Sequence, residues 1–331
     1  VSDKPYLVAD IGGTHARFAL AKPDQGVGRP VVLKCADYDS ILEAIEHGRA
    51  LLGNDAVQCG CFGVASPVTG DAINMTNNSW SFSARGLRRA LGLESLFIVN
   101  DFAAQSMGLS HVADASLRQI GQGTRVTNAP IALIGPGTGL GVSCIITSEQ
   151  TPIVLAGEGG YVTLPVHDER EVAIRQVLRQ RFPRVSAERV LCGSGLLQLY
   201  VVLCELDGAQ PIFDDPPQLV KEAFGNEAGL AREAVEIFMA LLGDTAGNVA
   251  LTMGARGGVF LSGALLESLS SILENSRFRA RFENKGRGEL FVREIATVLV
   301  LDRFTALNGC QQIIVANQNS RHSRGIGYAA T

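Results

Sequence analysis

Two stretches far apart in the chain follow one plan, and that repetition constrains the fold more than any other feature. Pro5-Tyr-Leu-Val-Ala-Asp-Ile-Gly-Gly-Thr-His-Ala-Arg-Phe-Ala-Leu20 reads as an apolar strand, a glycine turn and a second strand, a β-hairpin. Ile131-Ala-Leu-Ile-Gly-Pro-Gly-Thr-Gly-Leu-Gly-Val-Ser-Cys-Ile-Ile146 repeats the plan, again with a threonine in the glycine turn. Two similar hairpins predict two similar lobes. Between them lie a helical stretch from Ile41 to Leu52, a strand from Gln58 to Val64, a second helical stretch from Ala84 to Leu91 and the short buried strand Leu96-Phe-Ile-Val-Asn100. This alternation is that of an α/β lobe.

After the second hairpin, Val172, Ile174, Val177 and Leu178 give Arg170 to Arg181 one apolar helical side. Leu230, Ala234, Ile237, Phe238, Leu241 and Leu242 recur at three- and four-residue spacing, so a long amphipathic helix is expected from about Glu227 to Met253, ended by Gly254. Gly257-Gly-Val-Phe-Leu-Ser-Gly-Ala-Leu-Leu266 reads as a strand, a glycine turn and a helix start, where α/β sheets commonly hold nucleotides. Asn317 to Thr331 is polar and glycine-containing and is expected to be poorly ordered. A chain of 331 residues, 46% of them hydrophobic, can bury a large core and suggests about two domains.

Charge and cysteine usage narrow the function classes. The formal net charge of −4 offers no basic surface for a phosphate backbone, so nucleic acid is not an expected partner. No run approaches the roughly 18 to 20 uninterrupted apolar residues of a membrane span, and Val1 to Asp10 lacks a signal peptide's hydrophobic region. Cys35, Cys59, Cys61, Cys144, Cys192, Cys204 and Cys310 are scattered through mostly apolar segments, as suits reduced thiols in the cytoplasm. Cys59-Gly-Cys61 has no second cysteine pair to complete a zinc site, and reads as two core thiols on one strand. The five histidines form no metal-binding pair, and neither a G-x-S-x-G elbow nor a Gly-Lys-Ser/Thr phosphate loop is present.

Several short segments carry candidate chemistry. Asp10-Ile-Gly-Gly-Thr14 sets a carboxylate at a strand end before two glycines whose backbone amides can approach a phosphate. A carboxylate beside phosphate needs a cation, and magnesium suits Asp10 either directly or through water. Gly137-Thr-Gly-Leu-Gly141 is the matching segment of the second hairpin. Either motif alone reads better as an ordinary hairpin turn; the pairing of the two shifts the reading towards nucleotide binding. Asn100-Asp101 follows a buried strand directly, where Asp101 is placed to accept a hydroxyl proton, although Asn-Asp equally suits a helix cap at Phe102. Glu158 within Gly157-Glu-Gly-Gly160, Glu188 within Ser186-Ala-Glu-Arg189, and Asn100 form a set able to bind the vicinal hydroxyls of a sugar. Ser186 as an N-cap with Glu188 in the first helical turn is an equally good reading of that last segment. Met75-Thr-Asn-Asn-Ser-Trp80 reads as a polar loop holding the single tryptophan.

Taken in order, these segments resemble the bacterial glucokinase family of the hexokinase and actin ATPase superfamily. The resemblance is collinear from about Leu7 to Phe291. It rests on Asp10-Ile-Gly-Gly-Thr14 with Ala16-Arg17, Pro67-Val-Thr-Gly-Asp71, Met75-Thr-Asn77, Asn100-Asp-Phe102, Gly137-Thr-Gly-Leu-Gly-Val142, Gly157-Glu-Gly-Gly160, Ser186-Ala-Glu-Arg-Val-Leu191 and Gly257-Gly-Val-Phe260. It implies an α/β fold of two ribonuclease-H-like, actin-like ATPase lobes with a cleft between them. The small lobe would be residues 1–110, completed by 303–320, and the large lobe 111–302.

The activity implied is ATP-dependent phosphorylation of D-glucose at its 6-hydroxyl, in a cytoplasmic homodimer. Asp101 would be the catalytic base, with Asn100, Glu158, Tyr161 and Glu188 at the sugar. Asp10, Gly12, Gly13, Thr14, Gly137, Thr138, Gly139 and Gly141 would hold ATP phosphates and magnesium, with Gly257, Gly258 and Gly263 near the adenosine. A kinase for mannose or an amino sugar stays open, as does a sugar-sensing regulator, although no room precedes Tyr6 for a DNA-binding helix-turn-helix. Three features depart from the family pattern: His15 replaces an asparagine, Tyr161 replaces a sugar-contacting histidine, and Arg303 to Gly309 poorly matches the family's closing loop and helix.

Overall fold

The computed structural model describes residues 4–53, 56–147, 152–225 and 229–322. Tyr6–Ile11 (β1) is apolar along nearly its whole length, as suits a strand with neighbours on both sides and both faces covered. It pairs antiparallel with His15–Lys22 (β2), which also pairs with Gly26–Val27 (β3) and Val31–Lys34 (β4). The chain then forms Ile41–Leu51 (α1), whose first turn is capped by the Ser40 side chain accepting from Glu43 N. Cys59–Val64 (β5) returns parallel to β1. A short hairpin, Ala72–Asn74 (β6) and Ser81–Ser83 (β7), leads into Ala84–Ala90 (α2), and Ser95–Asn100 (β8) joins β5 in parallel. Asp101–Gly108 (α3) begins where β8 ends.

The chain divides into two compact units, one of Val1–Ala113, Glu149–Ala156 and Asp302–Thr331 and the other of Asp114–Ser148 and Gly157–Leu301. The second contains Leu117–Ile120 (β9), then the hairpin Ile131–Pro136 (β10) and Leu140–Ile146 (β11). Beyond Ile153–Gly157 (β12) come Glu169–Arg181 (α4), Gly193–Leu206 (α5), Pro216–Glu222 (α6) and Gly229–Met253 (α7). The expected start of that long helix at Glu227 lies outside the described residues. Gly258–Leu261 (β13), Ala264–Ser268 (α8), Ser270–Asn275 (α9), Phe278–Glu283 (α10), Glu289–Arg293 (α11) and Thr297–Val300 (β14) follow. Within this unit the strands run β11-β10-β13-β14-β9, with β13 parallel to both β10 and β14. The first unit runs β2-β1-β5-β8, so each has an antiparallel hairpin continued by two parallel strands. The repeated hairpin thus marks a repeated sheet plan.

By length and composition α7 is apolar enough to cross a membrane, but most of it is buried in the core of its unit. Its Gly243 lets α10 approach so closely that a Cβ there would sit 2.1 Å from the Phe278 carbonyl oxygen. Beside that contact lies an ion network absent from any sequence motif. Arg281 donates to Glu171 at 2.6 and 2.9 Å and to Asp244 Oδ2 at 2.8 Å, and Lys285 donates to Asp244 Oδ1 at 3.0 Å. The four side chains are 0–11% exposed and balance in charge, which is what makes their burial tolerable.

The segment after Asp302 folds where the family pattern is poorly matched. Thr305–His322 (α12) packs on α3 and the β1–β5 face, burying Ala306, Leu307, Cys310, Ile313 and Ile314. Two glycines permit it: a Cβ on Gly108 would lie 2.0 Å from Thr305 O, and one on Gly309 1.7 Å from Ala104 O. The expectation of poor order from Asn317 is corrected here. Asn317 is buried and donates to Ile313 O, and Gln318 Oε1 accepts from Tyr6 OH at 2.8 Å, so the helix continues through His322. Residues 323–331 lie outside the described residues.

Candidate functional site

Register gathers the acidic candidates of the first unit at one sheet edge. Ile11 pairs with Val64 and Val64 with Asn100, so Asp10, Asn100 and Asp101 all lie at the carboxyl ends of parallel strands. Asp10 and Arg17 are direct cross-strand partners, and Arg17 Nη1 donates to Asp10 Oδ2 at 2.9 Å. Burial raises the Asp10 carboxyl above its ordinary pKa, with the Arg17 charge and hydrogen bond opposing the rise. The glycine turn that follows is closed by Gly12 N donating to His15 O at 2.9 Å. Gly13 presses against Asn77, where a Cβ would lie 2.5 Å from the asparagine's own Cβ. The polar Met75–Trp80 loop therefore buttresses the turn. Thr14 is exposed, and its carbonyl accepts from Cys35 N.

Asn100 is a helix cap: its Oδ1 accepts from Phe102 N at 3.0 Å and Ala103 N at 3.2 Å, while Nδ2 donates to Ser66 O. Asp101 Oδ1 accepts from Phe102 N at 2.9 Å, which orients the carboxylate at the start of α3. Gly63 is the residue that brings α3 onto β5; a Cβ on it would fall 3.2 Å from Ala104 Cβ and 3.5 Å from Asp101 Cα. A glycine inside a strand signals such an approach. Asp71 caps α2 through Ser83 and Arg85, a structural role for the Pro67–Asp71 motif.

In the second unit the turn Gly137-Thr-Gly139 links β10 to β11 and is closed by Gly137 N donating to Gly139 O at 2.8 Å. Gly141 lies within β11 opposite Gly135, and Thr138 is exposed at the tip. Gly193 N, at the start of α5, donates to Gly137 O at 3.0 Å and anchors the turn. No neighbour lies within 4 Å of a Cβ placed on Gly137, so its backbone faces open space. Glu158 precedes a short 3-10 turn, Gly159–Tyr161, that rests on β11. Residues 162–164 pair with 185–187 through Ala187 N to Val162 O and Leu164 N to Val185 O, bringing Glu188 beside Gly160. Glu188 Oε2 then accepts from Leu140 N at 3.0 Å.

The N-cap reading of Ser186 is corrected: that segment is a turn, and α5 starts later, with Cys192 Sγ accepting from Gly195 N. Burial, with the neighbouring Glu188 charge, raises the Glu158 pKa. Glu188, then burial and Glu158, raise that of Tyr161, against Arg189. Tyr161 is 51% exposed, so it does not turn into the core as a strand residue.

Gly263 has φ +118°, and a Cβ there would lie 2.6 Å from Pro136 O, so it backs the strand end that opens into the Gly137 turn. Gly257 and Gly258 lie at the other end of β13, a strand roughly 10 Å long at about 3.3 Å per residue. Their lack of a side chain is used for packing: a Cβ on Gly257 would sit 2.6 Å from Ala129 O, and Gly258 has φ +118°. Both glycines therefore have packing roles at that end of the strand.

The model of the glucokinase family matches residues 7–317. The chain belongs to the glucokinase family. It is similar to a glucokinase of Paramagnetospirillum magneticum, 43% identical over 320 residues that cover 95% of this chain and 98% of that one. A glucokinase of Neisseria gonorrhoeae is 42% identical over 308 residues, covering 93% and 94%. The crystal structure of a glucokinase from an Antarctic psychrotroph matches with TM-score 0.82 at 31% identity, over 94% of this chain and 98% of that chain. The fold is accordingly the two-lobed, actin-like ATPase fold, and the enzyme class is that of a hexose kinase.

Proposed function

We propose that this chain transfers the γ-phosphoryl group of ATP to the 6-hydroxyl of D-glucose, giving glucose 6-phosphate and ADP by direct in-line displacement. The observation that carries the reading is Asp101, held by Phe102 N at the carboxyl edge of the sheet that also bears Asp10. Asp101 takes the hydroxyl proton as the sugar oxygen bonds to phosphorus and the bond from phosphorus to the ADP oxygen breaks. Glu158 and Glu188 accept from sugar hydroxyls. Asn100 contributes its amide Nδ2, because its Oδ1 is occupied by the helix cap. Tyr161 offers a hydroxyl that both donates and accepts.

The turns of Gly12, Gly13 and Thr14, and of Gly137, Thr138, Gly139 and Gly141, lie at the ATP phosphates, with the Gly12 and Gly137 N–H groups engaged in closing their own turns and Gly257, Gly258 and Gly263 on the adenosine side. The open space before Gly137 supports this, since a cradle for phosphate needs bare backbone. Among the described residues no group of three or more His, Cys, Asp or Glu side chains forms a metal cage. One carboxylate beside a phosphate turn fits magnesium, which keeps water and phosphate oxygens in its shell. Asp10 would hold it, directly or through water, and the ion would withdraw charge from the phosphate oxygens.

In this reading the small lobe is residues 1–110 completed by 303–320, and the large lobe is 111–302, supported by the two compact units. We further infer a cytoplasmic homodimer; the free thiols support the location. The test is a coupled ADP-release assay of the purified protein across glucose, mannose and glucosamine. Glucose is expected to give the highest kcat/KM, and a higher value for another hexose overturns the substrate assignment.

A further inference from the structure

The two glutamates assigned to the sugar are built onto the same strand that leaves the phosphate turn. Gly159 and Gly160 rest on β11 so tightly that a Cβ on Gly159 would lie 2.8 Å from Val142 Cβ, and one on Gly160 2.3 Å from Leu140 O. Glu188 N donates to Gly160 O at 2.9 Å, tying it to this turn. Its side chain reaches further: Oε2 accepts from Leu140 N at 3.0 Å, and a Cβ on Gly139 would meet the same oxygen at 2.5 Å. Oε2 thus lies against the phosphate turn itself, and Oε1 has no hydrogen bond among the described residues.

We infer that Glu188 couples the two substrate sites, one carboxylate oxygen holding the Gly137–Leu140 turn and the other receiving the sugar. This rests on the assignment of glucose and ATP made above and adds a positioning role for Glu188 toward the nucleotide. A sugar hydroxyl on Oε1 fixes the carboxylate plane, and with it the Leu140 N–H and the turn before it. A nucleotide that orders the turn fixes Oε2 in the same way. The coupling is reciprocal, as binding free energies require.

The test crosses the two sites by calorimetry. Gly139→Ala, which drives a methyl group against Oε2, is expected to weaken glucose binding about tenfold with no nucleotide present. Gly137→Ala, whose Cβ meets nothing, is expected to weaken binding of a non-hydrolysable ATP analogue and leave glucose binding alone. Reciprocally, Glu188→Ala is expected to weaken analogue binding about fivefold with no sugar present. The double variant Gly139→Ala, Glu188→Asp shortens the acid by one methylene and is expected to recover part of the glucose affinity. Wild-type glucose binding by Gly139→Ala, or wild-type analogue binding by Glu188→Ala, overturns the coupling. If Gly139→Ala proves unfolded by circular dichroism, the Glu188→Ala result decides. Failure of the unmodified protein to phosphorylate glucose refutes the functional reading instead, a result the binding measurements keep separate.

Discussion

Gly309→Ala tests whether the terminal helix is part of the catalytic unit. The new Cβ would sit 1.7 Å from Ala104 O and 2.6 Å from its carbonyl carbon, whereas real Cβ contacts essentially never fall below 3.0 Å. Both partners are backbone, so no rotamer relieves the clash; α12 and α3 must part by more than an ångström. A gap of that size forfeits a quarter to a half of the dispersion between facing atoms. The cost is about 3 kcal/mol, the upper part of the usual overpacking range. Alanine is the better helix former by about 1 kcal/mol, which opposes the clash without matching it. The remaining 2 kcal/mol or so lowers Tm by roughly 4–8 °C for a unit of this size. Because α3 carries Asp101 at its first residue, kcat is expected to fall with it. Differential scanning calorimetry and the coupled assay read both effects. A Tm at or above that of the unmodified protein refutes the reasoning.

Three other outcomes follow from the same geometry. Arg281→Met removes the cation between Glu171 and Asp244 and is expected to cost about 3–5 kcal/mol, read as a lower urea midpoint; an unchanged midpoint contradicts the network's role. Glu158, raised by burial and by Glu188, protonates at a higher pH than an ordinary glutamate. Glucose affinity carried by its ionised form is therefore present above that raised pKa and is lost as pH falls through it, and Glu188→Gln is expected to move this acid limb to lower pH; a stationary limb in the KM profile rules out the pair. Tyr161→Phe is expected to raise the KM for glucose about tenfold with ATP kinetics little changed, and unchanged glucose kinetics remove its hydroxyl from the sugar site.

Local pattern makes both hairpins, the α1, α2, α4 and α7 helices and the strand ending at Asn100 readable, because each depends on periodicity within a short window. Glycines placed in turns are readable for the same reason. What local pattern does not carry are uses of glycine that depend on a distant neighbour: Gly63 under α3, Gly108 and Gly309 between α3 and α12, Gly257 against Ala129. Nothing within a few residues of any of them announces its partner. The Arg281 network likewise joins three helices through residues 110 and 37 positions apart. At the site, Asn100 has two readings in sequence and the cap is realised, whereas the cap expected at Ser186 gives way to Cys192, since pairing of 162–164 with 185–187 holds that segment out of a helix. Tertiary pairing overrides a favourable local signal.

The measurement closest to the central claim separates chemistry from affinity at Asp101. Asp101→Ala is expected to lower kcat by about two to four orders of magnitude, the usual contribution of a positioned base, while calorimetry still detects glucose binding. Turnover near that of the unmodified protein would contradict the assignment of Asp101 as the base.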